Sequence, residues 1–126
     1  SRQLDLLLGA DLVRGRNRSD AANLPRITPL RAKAGLAWRR GALALGGEVQ
    51  FVARQSRTAP EEAPSSAYEL ISAYAYYRLS NGKLGWDVFL RGTNLGDREA
   101  RLHTSFLKEV APLPGRNVTA GVRLTF

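Results

Sequence analysis

The chain carries one histidine, His103, and no cysteine. Around it, residues 94–113 gather Asp97, Glu99 and Glu109 together with Arg98, Arg101 and Lys108. An imidazole with nearby carboxylates is a donor set that transition metals accept, which makes His103 a candidate metal ligand. A dedicated site would bring more ligands at fixed spacing, so a lone histidine reads more simply as a solvated or hydrogen-bonded loop residue. Arg101 and Lys108, with Arg98, suit an anionic ligand or a lipid phosphate, and more often such residues are only solvated. No nucleophile, base and orienting group can be assembled around one histidine, and no phosphate-cradling glycine motif is present. The expectation is therefore no enzyme and no cofactor. Gly46-Gly47 falls inside a strand pattern, where it allows a bend or close packing.

The 126 residues make room for one domain with a modest core, and their formal charge of +8 favours anionic surroundings. Without cysteine there is no disulfide framework and no zinc–thiolate site. No apolar run is long enough to cross a bilayer as a helix. The opening Ser-Arg-Gln-Leu-Asp has no charged-then-apolar leader, so a secretory signal is expected to be missing or to lie upstream.

The elements that must position these residues are strands, because side chains alternate between two faces over most of the chain. Six strands are predicted, over residues 4–13, 30–38, 42–54, 68–79, 84–93 and 117–126. The last is the cleanest. Val118, Ala120, Val122, Leu124 and Phe126 share one face, opposed by Asn117, Thr119, Gly121, Arg123 and Thr125. Arg39-Arg40-Gly41 and Ser80-Asn81-Gly82-Lys83 read as tight turns, while residues 14–29, 55–66 and 94–113 are long connections. In an up-and-down sheet, both tight turns and both chain ends then lie at one rim and all long loops at the other.

A half-buried soluble sheet shows the same alternation, so three further features discriminate. Charges of apolar parity, Arg14, Glu69 and Arg116, all fall at the long-loop end, whereas Asp5, Asp11, Arg31, Lys33, Glu48, Arg78, Asp87, Arg91 and Arg123 take the other face. A cation at bilayer mid-depth costs about 2–4 kcal/mol, and lipid would enforce this distribution. Trp38, Tyr77, Trp86 and Phe126 gather near the short-turn end, with Phe51 towards the other rim, as interfacial aromatic girdles do. Short turns on one side and long loops on the other complete the pattern of an outer-membrane barrel. The polar-face cations Arg31, Lys33, Arg54, Arg78, Arg91 and Arg123 are expected to pair with plug carboxylates or with Glu48 and Asp87 across strands, lining of a permeation path being the alternative. The competing reading is a soluble basic β-domain that binds nucleic acid on its cationic face, where Tyr74, Tyr76 and Phe89 are the main aromatics.

Residues 94–101, Asn-Leu-Gly-Asp-Arg-Glu-Ala-Arg, resemble the segment that closes the penultimate strand of TonB-dependent outer-membrane receptors. Residues 103–116, which end in Pro-Gly-Arg before a strand finishing on Phe126, are similar to the C-terminal signature of that family. Residues 23–31, Asn-Leu-Pro-Arg-Ile-Thr-Pro-Leu-Arg, also resemble a recurrent segment of such barrels. Residues 103–116 look closest to the branch associated with zinc uptake. That likeness is the main reason to consider His103 as a metal ligand, with further ligands from loops outside this chain.

The resemblance implies an all-β, antiparallel up-and-down transmembrane β-barrel wall, with residues 1–126 as the C-terminal part of a barrel of about 22 strands. Plug domain and earlier strands would lie outside this chain. It implies a location in the outer membrane of a Gram-negative bacterium and energy-dependent uptake of a scarce nutrient such as a metal or metal chelate. The partners implied are outer-membrane lipid and lipopolysaccharide, the barrel-assembly machinery, and the TonB energising complex through the missing N-terminal region, with no nucleic acid. Val122, Leu124 and Phe126 would serve as the membrane-assembly signal, and Trp38, Tyr77 and Trp86 as the aromatic girdle.

Overall fold

The computed structural model describes residues 2–80 and 84–126. Its strands are β1 (Arg2–Asp11), β2 (Arg31–Arg40), β3 (Leu43–Val52), β4 (Tyr68–Ser80), β5 (Gly85–Thr93) and β6 (Asn117–Thr125). Each pairs antiparallel with its neighbour in the chain, giving one six-stranded sheet in the order β1-β2-β3-β4-β5-β6. Alternation therefore identified all six strands, and the differences lie at their ends. The expected Asn-Gly turn falls on residues 81–83, outside the described residues.

The first turn sits later than the sequence reading placed it. β2 continues through Arg39 and Arg40, and Arg40 pairs with Leu43, so the turn proper is Gly41-Ala42. Arg39 is held in the strand by an ion pair with Asp5 of β1. Gly41 has φ of +57°, a left-handed conformation that costs glycine nothing and that suits the first position of a type II′ hairpin. The longer β2 also gives Arg40 the parity of the apolar row, at the short-turn rim where a cation is tolerated.

Register carries the sequence parity across the whole sheet. Leu4, Trp38, Leu45, Ala75, Leu90 and Ala120 stand opposite one another in turn and form one apolar row. No second layer of this chain covers that face among the described residues. Leu36 is 51% exposed and Val122 59%, while the buried hydrophobic side chains are Val52 and Ala100. A soluble sheet would hide this row, because burying such side chains is the main favourable term in folding in water.

The polar face is organised differently. Arg31 is 2.9 Å from Asp11, and Arg78 is 2.6 Å from Asp87, each pair bridging adjacent strands. The expected pairing thus occurs for Arg31 and Arg78, though the partner of Arg31 is Asp11. Tyr74, Tyr76 and Phe89 stack in sequence, with ring centroids 5.5 and 6.0 Å apart. The Tyr74 and Phe89 rings lie over Gly46 and Gly121, leaving no room there for a Cβ. Gly46 therefore serves close packing, one of the two roles its position predicted.

Candidate functional site

All three long loops, residues 12–30, 53–67 and 94–116, leave the sheet at the same rim. The first two begin as small hairpins of their own. Arg16 bridges Asn23 and Gln55 bridges Ser65, and the side chains of Asn17 and Asp20 accept hydrogen bonds from backbone two residues on. Such Asx turns explain how a segment rich in Asn, Asp and Ser acquires structure without joining the ladder. The side chain of Gln55 donates to Ile27 O at 3.0 Å, and that of Asn23 to Thr58 O at 3.3 Å, which ties the first loop to the second.

The third loop is anchored at its start by Asn94. Its amide donates to Arg98 O and Pro114 O, at 2.9 and 3.1 Å, and accepts from Arg98 N at 2.9 Å. Asp97 Oδ1 accepts from Arg116 N at 2.9 Å. Asn94 and Asp97 both have positive φ, +47° and +52°, which Asn and Asp tolerate better than most residues. Leu95 packs over Gly92, where a Cβ would collide with it. The Asn-Leu-Gly-Asp segment and the Pro-Gly-Arg segment are thus two halves of one clasp, which joins the end of β5 to the start of β6.

At the centre of the loops lies Glu62. Its carboxylate accepts from Arg26 N at 2.9 Å and from Ala59 N at 3.1 Å, and stands 3.4 Å from Lys108 Nζ and 3.3 Å from His103 Nε2. His103 Nδ1 lies 3.0 Å from Ser65 Oγ, and Lys108 Nζ donates to Ala63 O at 2.6 Å. One acidic side chain thereby gathers groups from all three loops. The Arg26 guanidinium sits 3.5 Å above the Phe106 ring and adds a second link between the first and third.

Burial alone would raise the Glu62 carboxyl, but the Arg26 and Ala59 N–H donors, with Lys108 and His103, outweigh it and hold the group below its usual range. Burial, helped by Lys108, pushes His103 below the ordinary imidazole value, with Glu62 opposing. A neutral ring with its proton on Nε2 suits both neighbours, since that N–H points to Glu62 and Nδ1 accepts from Ser65.

His103 is 3% exposed, with both ring nitrogens engaged. Its carboxylate neighbour is Glu62, brought from another loop; Asp97 and Glu99 contact Arg116 and Arg101 instead. Among the described residues no three His, Cys, Asp or Glu side chains are placed to hold a metal ion. Arg101 is turned inward, its Nη1 donating to Lys108 O and Glu109 O at 2.8 and 2.7 Å. Arg98 pairs with Glu69 at 3.0 Å. Trp38, Tyr77 and Trp86 stand on the apolar side near the short-turn rim, Tyr77 two residues of register beyond Trp38 and Trp86 two further. Val122 and Leu124 lie on the same side in β6, and Phe126 follows the last strand fully exposed. Sequence reasoning missed Glu62 and Ser65, for which adjacency to the sole histidine exists only in space.

No protein-family profile and no curated protein matches the chain. Among solved structures, it is similar to the copper transporter OprC, with a TM-score of 0.84 and 26% identity. The match covers 94% of this chain and 20% of that one, so this chain spans about a fifth of the transporter's length. The fold is accordingly all-β and up-and-down, like a β-barrel wall segment of that protein, as expected from the alternation taken together with the placement of charges, aromatics and loops.

Proposed function

We propose that the chain forms part of the wall of an outer-membrane receptor that imports a metal ion or metal chelate. The observation that carries this reading is the uncovered apolar face. Strands of 9 to 13 residues, long enough to span a bilayer, present an uncharged mid-strand row with no layer against it among the described residues. Hydrocarbon is the medium in which that surface is stable. Likeness to a copper transporter supports metal as the cargo, and the paired segments around Asn94 and Pro114 support a receptor of the TonB-dependent kind. Energising would then come through a region outside this chain.

In this reading the loop cluster around Glu62 is a rigid outer rim, and His103 belongs to its framework. Lipopolysaccharide and the other outer-membrane lipids contact the Leu36 face, and the barrel-assembly machinery inserts the wall, with Val122, Leu124 and Phe126 in the closing strand. Fractionating cells that express the full-length protein, and following uptake of radiolabelled copper and zinc, tests the proposal. The protein is expected in the outer membrane, with uptake of at least one metal lost on gene deletion and on collapse of the proton gradient. Recovery in the soluble fraction, or uptake indifferent to deletion, would overturn it.

A further inference from the structure

Each adjacent pair of strands must be held in one alignment, and alternation alone does not achieve this. A shift of one residue would turn every side chain to the wrong face, but a shift of two keeps both faces intact. In β2–β3 the short turn at Gly41-Ala42 fixes the alignment. β1–β2 carries two cross-strand ion pairs, Arg39 with Asp5 and Arg31 with Asp11, and β4–β5 carries Arg78 with Asp87. In β3–β4 the bridge between Gln55 and Ser65 continues the register of Val52 and Tyr68 three residues further.

β5–β6 has none of these. Among the described residues no ion pair joins the two strands, and residues 94–116 separate them. At mid-ladder the Phe89 ring fits over Gly121, a packing preference rather than a bond. For a connection this long, moving the pairing by two residues barely changes the cost of closing the loop. The clasp supplies what is missing. Asp97 N donates to Asn94 O at 2.9 Å and closes a turn directly after β5. From that turn the Asn94 amide holds Pro114 O, and the Asp97 carboxylate holds Arg116 through its N–H and, at 3.6 Å, its guanidinium. A Cβ on Gly115, between them, would crowd Asp97 Oδ1 at 3.1 Å. Leu113 N donates to Ala100 O at 2.7 Å, and Ala100 is fully buried. The same turn grips β4, through Leu95 N to Ile71 O at 2.8 Å and Arg98 to Glu69. None of these contacts involves residues 101–112, whose His103 and Lys108 are held separately at Glu62.

We propose that the Asn94–Asp97 clasp sets the register of β6 on β5, so that the last strand enters the wall already aligned. The alignment belongs to the chain in any medium; that β6 takes its place in a membrane wall rests on the proposed function.

Cysteine pairs in the full-length protein test this, and residues 1–126 offer no competing thiol. Leu90→Cys with Ala120→Cys stands directly opposite, whereas Leu90→Cys with Val118→Cys or with Val122→Cys is offset by two. Direct partners lie within disulfide reach and offset ones beyond it, so oxidation with iodine should join the first pair and leave the others at background. Asn94→Gly keeps the left-handed backbone open and removes only the amide. In that background the offset pairs should rise about tenfold, the weight of one to two ordinary hydrogen bonds. Replacing residues 101–112 by a short Gly-Ser linker, with the clasp intact, should leave the pairing as it was. Unchanged pairing in the Asn94→Gly protein overturns the proposal. Offset pairing after the linker replacement also overturns it, assigning the alignment to the loop tip. Where Asn94→Gly gives no folded protein, Asp97→Ala, which frees Arg116 N, is read in the same way. Alignment that depends on Asn94 in a protein found outside the membrane sinks the wall reading and leaves this inference standing; alignment indifferent to Asn94 in a membrane-bound importer does the reverse.

Discussion

The sheet and the loops invert each other's chemistry. In the sheet, Leu6 is 68% exposed and the apolar row stands bare, whereas in the loops His103 is 3% and Asn94 5% exposed, each inside a polar framework. A protein folded by water alone would do the reverse. The difference shows that the two regions are stabilised by different means. On the proposed reading the wall relies on backbone ladders and on an apolar medium outside it; the loops rely on satisfied hydrogen bonds around the part-buried carboxylate of Glu62.

Glu62→Leu should break that contrast most severely. It leaves Lys108 buried without its carboxylate and removes the acceptor for two backbone N–H groups, a loss of about 3–5 kcal/mol of loop stability. Hydrogen exchange in the full-length protein should accelerate at residues 56–66 and 101–110 while β2–β4 stay protected. Uniform protection in all three loops would mean that Glu62 does not organise them. Leu36→Arg tests the wall, with an expected cost of about 2–4 kcal/mol in folding into bilayers. Gln50→Arg, on the polar face, should be nearly silent, and equal effects of the two would contradict the assignment of faces.

Mild acidification should have the smallest effect. The His103 pKa is lowered in the folded protein, so the unfolded chain binds more protons as pH falls below about 6.5, and stability drops in that direction. Glu62, also lowered, adds a loss of the same sign below about pH 4.5. Loop protection should therefore decline on acidification before that of the strands does, and His103→Gln should remove the earlier of the two steps. A loop that tightens as pH falls from 7 to 5.5 would contradict this sign.

What was legible in the sequence follows the range of the forces. Period-two alternation is local, so Val118 to Leu124 announces its own faces, and the bare row follows once parity is read. Arg39 escaped because its place in β2 depends on Asp5 in another strand. The Glu62 cluster escaped for the same reason at greater distance: Ser65 and His103, in contact here, are 38 residues apart. Asn94 was visible as part of a recurring segment, but its work, joining Arg98 O to Pro114 O, needed coordinates.

Every strand neighbours only the strands before and after it in the chain. Such a sheet is modular: a hairpin can be inserted or excised and its flanks will still meet in register. Because each hairpin returns the polypeptide to the side it came from, circumference can change in steps of two strands without altering which compartment receives the incoming or outgoing segment. Bore size in walls built this way is free to vary while orientation is kept.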